Sequence, residues 1–294
     1  VVELNGEKEN VAFLKLGSGL GSNGGSLLQG SGDKQGIRLF YCSLDFKNKQ
    51  VSISFSHIQL SFVMSKPVFH YEQRRLENGL VALEPFDPTK HVTQFVKVIK
   101  DTRAELFKYI SFPVIETEAD FIRELYDNIS MSPGDCIYAI FDKTSEHGEE
   151  NSNYAGVISL TATNPANAVT EMGVLIFPAF QRTHISTNAI GLLLLWILDP
   201  PSAGGLGLRR VEWQTHAENQ ASRKVALRMG FELEGILRWQ RVSTLGVGLP
   251  VEVLEKRNGT TGEPPGRHTA IFSIVWDEWD EKRPKVLALM DRKR

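Results

Sequence analysis

A carboxylate, an apolar run, a compact polar turn and a strongly apolar segment follow one another between Glu171 and Leu198. The run Met172 to Phe177 reads as a buried strand that stops at Pro178, because proline removes a backbone donor. The turn Gln181-Arg182-Thr183-His184-Ile185-Ser186-Thr187 opens a segment with Ile190, Leu193, Leu194, Ile197 and Leu198 on one helical face. A strand, turn and helix in this order aim unpaired backbone N–H groups and the positive end of the helix dipole at one point. Such a point is an anion site suited to a pyrophosphate. Arg182 adds a planar fork of donors for phosphate oxygens.

Other patterns carry less. Gly19 to Gly24 fits G-x-G-x-x-G, a dinucleotide fingerprint that needs a strand before it, a helix after it and an acidic residue about 20 positions on. Asp45 stands near that distance. The following Gly25 to Gly32 is a poor helix, since each glycine costs about 1 kcal/mol. The segment therefore reads as linker, and a nicotinamide-binding role is the weaker reading. Cys42 and Cys136 are too few for a disulfide framework and lack zinc spacing, and no metal is expected. A net charge of −2 and a pI near 6.4 exclude a basic footprint as a bulk property, so no nucleic-acid partner is expected. The apolar run Ala189 to Leu198 is about half the ~20 residues that a membrane span requires, so a buried helix and no membrane association are expected. No charged-then-apolar leader is visible. The triplets at Asn128 and Asn258 then read as chance, and a cytoplasmic location is expected, with the nucleus also open.

The elements that must position the turn can be read from periodicity. Residues 1–63 differ from the rest: Gly17 to Gly36 is rich in glycine and serine, and only Val51, Ile53 and Phe55 alternate as a short strand. This part is expected to be an N-terminal extension of little functional weight, disordered or an artefact of the gene model, with the functional domain spanning 64–294 from Met64. Leu80 to Phe86 reads as a strand, and Val92, Phe95, Val96 and Ile99 as a helical stripe. Phe121, Ile122, Leu125 and Ile129 form a second stripe with Thr117 and Asp120 available as caps. Cys136–Asp142, Tyr154–Thr161 and Val169–Phe177 read as successive strands. The helix after the turn is stopped by Pro200 and Pro201. Val211, Trp213 and Thr215 alternate as a strand, Gln220 to Met229 is helical with Gly230 at its C-terminal cap, and Phe231–Val242 and His268–Trp276 are the last strands. A final helix is expected from Pro284. The order β-α-α-β-β-β-α-β-α-β-β predicts an α/β (α+β) fold: a mixed central sheet with helices on both faces.

Several of these residues resemble one family. Gln181, with the small residue Ser186 five positions on, is similar to the Q/R-x-x-G-x-G/A loop (motif A) of the GNAT superfamily of N-acetyltransferases. His184 stands where that pattern has its middle glycine, a departure that would cost something if the position required positive φ. Asn219-x-x-Ser222, followed by Leu227-Arg228-Met229-Gly230-Phe231 and Glu234-Gly235, resembles the N-x-x-S and L-G-F-x-x-E-G pattern of the ribosomal-protein N-acetyltransferase-like branch. The resemblance covers roughly 79–280 and is closest to fungal members.

The resemblance implies acetyl-CoA as acyl donor, an amine acceptor, no metal, and direct attack in a ternary complex by a monomer or homodimer. It implies a GNAT fold in which the strands flanking the loop and its helix splay apart. The pantetheine arm would pair in the gap with backbone groups of Leu175 and Ile176, a nearby N–H would stabilise the oxyanion, and residues Gln181 to Thr187 would hold the pyrophosphate. Glu171 would be the general base, Ser222 the acid toward the leaving thiolate, and Asn219 a partner of the pantetheine amides. Plainer readings compete: Glu171 as a solvated strand-start residue, Ser222 and Asn219 as helix caps, and His184 as a phosphate contact or exposed loop residue. His216 is a weaker base candidate. Tyr109, Trp239 and Trp276 are candidates for an acceptor pocket or for the core. Glu146, Glu149 and Glu150 read as a solvated loop. The acceptor stays open between a protein N-terminus and a small amine, and the rival reading is a catalytically weak acyl-CoA-binding regulatory module.

Overall fold

The computed structural model describes residues 26–29, 39–45, 50–55, 58–63, 69–110, 114–144, 153–242 and 266–292. The G-x-G-x-x-G run, Met64 to Pro67, Glu146, Glu149, Glu150, the Asn258 triplet and the Gly/Pro-rich stretch before His268 lie outside them.

The chain divides into two compact units at Lys66/Pro67. In the first, β1 (Ser26–Gln29), β2 (Leu39–Asp45), β3 (Gln50–Phe55) and β4 (Ile58–Val63) form an antiparallel sheet in chain order. Only β3 was legible by alternation. β1 lies inside the stretch read as linker, where four residues give too short a period to stand out against glycine.

The second unit is built on an eight-stranded mixed sheet. Its strands are β5 (Leu76–Glu77), β6 (Val81–Pro85), β7 (Cys136–Asp142), β8 (Tyr154–Asn164), β9 (Val169–Ile176), β10 (Arg210–His216), β11 (Glu232–Val242) and β12 (Gly266–Val275), in the spatial order β11-β12-β10-β9-β8-β7-β6-β5. Every neighbouring pair is antiparallel except β9–β10, which is parallel. A parallel pair needs a crossover, and helix α4 (Ile185–Leu198) supplies it.

Helices cover both faces. On one side α1 (Pro88–Leu106), capped by Asp87, packs Phe95 and Ile99 with Phe121, Ile137 and Phe177. Next to it α2 (Glu118–Phe121) opens with the expected Thr117–Asp120 capping box, then widens into a π turn over Ile122–Tyr126 before α3 (Asp127–Ser130). On the other side α4 packs with α5 (Gln220–Arg228) and α6 (Trp276–Met290) around Leu193, Trp213, Phe231, Phe272 and Trp279. The last helix starts at Trp276, eight residues before the expected Pro284, which lies inside it. Proline there lacks one intrahelical donor, yet packing of Trp279, Val286 and Met290 carries the helix through.

Two polar clamps fix α4. Asn188, buried in its first turn, accepts from Asn78 Nδ2 (2.7 Å), and Asn78 caps the Leu80 and Val81 N–H groups. At the other end Asp199 accepts two parallel bonds from Arg283 (2.8 and 2.9 Å) and one from the Trp279 indole (2.7 Å).

Candidate active site

The sheet opens at its one parallel pair. β9 and β10 are in register only at Val169–Arg210, Thr170–Val211 and Glu171–Glu212. Beyond Glu171 the two strands have no further partners in each other, and the gap begins there. Which backbone groups face it follows from strand alternation. The Phe177 N–H donates to Ala155 O (2.9 Å) and Leu175 pairs with Val157, so the polar groups of Leu175 are turned toward β8. Those of Val174 and Ile176 are turned into the gap. Of the two residues expected to offer backbone groups to the gap, Ile176 turns them into it and Leu175 turns them toward β8, while Val174 also faces the gap. The Ile176 carbonyl is already held by Gln181 Nε2 (3.1 Å), leaving its N–H and both Val174 groups for a bound chain. Gly156 allows β8 to approach so closely: at φ +144°, a Cβ there would lie 2.1 Å from Leu175 O.

At the mouth of the gap stands the turn. Pro178–Phe180 forms a 3₁₀ turn, and Arg182 adopts the left-handed conformation at φ 62°. His184 is right-handed (φ −67°, ψ −17°) and precedes α4 as its N-cap without a side-chain cap bond. The positive φ thus falls on Arg182, and the histidine in place of glycine costs no backbone strain. Its Nε2 lies 3.2 Å from Asp142 Oδ1 but off the line of a hydrogen bond; the contact is electrostatic and requires a protonated ring. Thr183 closes the turn, donating to Phe180 O (2.6 Å) and accepting from Ile185 N (3.3 Å). The first helical bond reaching back to His184 comes from Asn188 N. The Ser186 and Thr187 N–H groups precede that bond, and no acidic residue occupies the first turn, so the positive helix end can meet an anion. Gln181 and Arg182 are exposed, Thr183, His184 and Ser186 half-buried, and Ile185 and Thr187 buried.

Glu171 marks the apex of the opening. Its register partner Glu212 is held by Arg210 (2.9 Å), whereas among the described residues the Glu171 carboxylate has no ion pair. Burial pushes its pKa above the ordinary carboxylate value; Arg241 and Arg267 pull it down and Glu212 pushes it up. Side chains alternate along strands, so the registers put Glu171, Glu212, Gln214, His216, Thr269 and Arg267 on one sheet face. His216 is buried there, with Nδ1 accepting from Glu218 N (3.1 Å), which leaves the neutral ring's proton on Nε2. The Tyr109 ring lies 5.4 Å from the His216 ring, and its carbonyl accepts from Arg267 (3.2 Å).

Across the sheet, Asn219 caps α5 by accepting from Ser222 N (3.1 Å), so its capping reading holds, with its amide donors in addition. Ser222 Oγ accepts from the Trp213 indole (3.0 Å) and keeps its own proton to give. Trp239, at φ 56°, packs over Gly266 and lines a recess of about 750 Å³ with Leu237, Arg238 and His268. Trp276 does not join the site: it follows the last residue of β12, at the opposite end of that strand from Arg267, and is exposed beside Arg209. Three arginines were missed. Arg228 reaches Thr187 Oγ1 (3.4 Å) at the start of α4, and Arg241 and Arg267 share the sheet face of Glu171. Nothing in their local sequence signals this, because strand pairing alone brings them there.

An open parallel pair with a helix N-terminus at its mouth and a half-buried carboxylate at its apex is the architecture of an acyl-transferring enzyme. The acetyltransferase (GNAT) domain family matches residues 81–232, more than half of the chain, and the chain belongs to that family. No curated protein matches it. Among solved structures, a GCN5-related N-acetyltransferase from Brucella melitensis is 27% identical, with a TM-score of 0.60 over 77% of this chain and 89% of that one. The ribosomal L7/L12 α-N-protein acetyltransferase RimL in complex with coenzyme A is 19% identical (TM-score 0.54, 69% and 99% covered). The microcin C7 self-immunity acetyltransferase MccE in complex with acetyl-CoA and AMP is 22% identical (TM-score 0.50, 67% and 93% covered). The latter two show the fold alone.

Proposed function

We propose that this enzyme moves an acetyl group from acetyl-CoA to a primary amine by direct attack in a ternary complex. The observation that carries the reading is the three-residue limit of β9–β10 pairing, with Glu171 where it ends. The donor supplies a thioester-activated acetyl group. Val174 and Ile176 offer strand-like partners for its pantetheine amides, and a gap-facing N–H can stabilise the oxyanion. The turn from Gln181 to Thr187, with Arg182 and the α4 N-terminus, suits its pyrophosphate, and Arg228 adds positive charge at the same helix end. An amine binds mostly protonated at neutral pH, since lysine titrates near 10.4 and an α-amine near 8. Glu171, unpaired and with a raised pKa, takes that proton, directly or through water. Ser222, already held by Trp213, gives a proton to the departing sulfur. His216 is the second candidate base on the same face.

The rival reading, a binding module without turnover, draws on the histidine at position 184 and on the open identity of the base. The right-handed His184 speaks against the first ground, and turnover tests the second. The test is release of free thiol from acetyl-CoA with a panel of peptides and small amines, alongside calorimetric binding of CoA. Acetylation of at least one amine class with micromolar CoA affinity is expected. Absence of any CoA affinity would overturn the reading.

A further inference from the structure

Arg241 on β11 and Arg267 on β12 stand directly opposite each other in the strand register. Both belong to the sheet face that carries Glu171, Gln214 and His216. Like charges at directly opposed positions repel. Arg267 is also buried, at 8% exposure, and a buried charge is costly without a counter-charge. Its partners are neutral: Nε donates to Thr269 Oγ1 (3.3 Å) and Nη1 to the Tyr109 carbonyl (3.2 Å). Arg241 Nη2 donates to another neutral oxygen, Gln214 Oε1 (3.4 Å). Among the described residues neither forms an ion pair. Other arginines of the same unit do: Arg283 binds Asp199 and Arg210 binds Glu234.

A guanidinium has five donors, so the Nη2 edge of Arg267 remains without a partner among the described residues. Burial and the nearby Arg241 lower the pKa of Arg267, against a smaller opposing pull from Glu171. Both arginines act electrostatically on the Glu171 carboxyl, and all three side chains belong to the same sheet face. The Tyr109 ring packs against His216 of that face (5.4 Å between rings).

We infer that Arg241 and Arg267 receive a carboxylate of the acceptor, so that the preferred acceptor is a primary amine carrying its own carboxylate. This rests on the acetyl-transfer reading of the cleft. The amine end goes to Glu171, and the carboxylate supplies the bonded counter-charge that neither arginine has among the described residues, through the planar fork that suits it. An amine without an acidic group leaves the arginine pair uncompensated.

The test compares matched acceptors with the full-length enzyme: free amino acids and 4-aminobutyrate against their amides, and Ser-Asp-initiated against Ser-Asn-initiated peptides. The expected kcat/KM ratio, acid over amide, is about tenfold to a hundredfold, the range for a charge-assisted hydrogen bond. Preference confined to free amino acids identifies a main-chain carboxylate as the source; preference confined to Ser-Asp identifies an acidic side chain. Arg241→Gln should reduce the ratio toward one whichever way the absolute rates move, and Arg241→Lys should restore part of it. Arg241 is exposed, so these variants keep the test valid if an Arg267 variant does not fold. Equal or better turnover of the neutral partners would overturn the inference and leave acetyl transfer standing. No turnover of any amine would remove both.

Discussion

Replacing Glu171 by glutamine separates the roles of its carboxylate in rate and in stability. The side chain is half-buried, its pKa is raised by burial, and it has no ion pair among the described residues. Losing its charge therefore breaks no attraction at bonding distance. A raised folded-state pKa means that the folded protein holds a proton the unfolded chain has released. Stability then falls as pH rises from the unfolded value, near 4.3, through the higher folded value. Glu171→Gln removes that decline, so at pH 7 the variant should unfold within about 0.5 kcal/mol of the wild type or somewhat later. The rate behaves oppositely. General-base catalysis contributes about 10²–10⁴-fold, so kcat at pH 7 should fall by at least a hundredfold while CoA affinity is kept. In the wild type the acidic limb of the pH–rate profile should lie above the ordinary carboxylate range and vanish in the variant. An acceptor amine of low pKa keeps its own titration out of that window. Urea denaturation and initial rates from pH 5 to 9 measure both quantities. An unchanged pH–rate profile, or a stability loss above about 1 kcal/mol, would refute the assignment of Glu171 as an unpaired base.

Other consequences can be measured on single variants. Gly156→Ala places a Cβ at 2.1 Å from Leu175 O and should cost about 1–3 kcal/mol in denaturant unfolding, with weaker CoA binding because β9 must shift; an unaltered midpoint would contradict the close approach. Arg182→Gly keeps a residue suited to the left-handed turn while removing the fork, so Kd for CoA should rise about tenfold and depend less on salt, with the melting temperature unchanged. Asp199→Asn weakens the clamp to Trp279 and Arg283; with Arg283 41% exposed, about 2 kcal/mol is expected rather than the larger loss of a fully buried pair, and a loss under 0.5 kcal/mol would show that the clamp is idle. Ser222→Ala should lower kcat at least tenfold with the acetyl-CoA KM unchanged, whereas lowered stability at full kcat would leave Ser222 only as the partner of Trp213.

The elements carrying strong periodicity were legible, and β7 was read to the residue because Cys136 to Asp142 is bounded by polar turns on both sides. The turn at 181–187 was legible for a local reason: proline at 178 ends a strand and an apolar helix starts seven residues later, at Ile185. What could not be read depends on contacts between distant segments. Whether Leu175 or Val174 faces the gap is a matter of parity fixed by Phe177 and Ala155, residues 22 positions apart. The arginine pair depends on the β11–β12 register, and a bulge between Leu237 and Arg241 resets it. Counting alternation forward from Ile236 would have no means of anticipating that reset. Trp276 misled because an aromatic residue after a strand says nothing about which end of the strand lies near the site.

The turn itself illustrates how a motif position can change without losing its geometry. A glycine in such a loop is needed only where φ is positive, and here that place is Arg182, two residues before the histidine. Moving the left-handed residue to the arginine leaves His184 free to sit in the helical region, where its ring can meet Asp142 at the end of β7. When the ring is protonated, that contact ties the loop to β7, which a glycine could not provide. A fixed loop loses less conformational freedom when a phosphate arrives, so the substitution favours binding through order already present in the free enzyme.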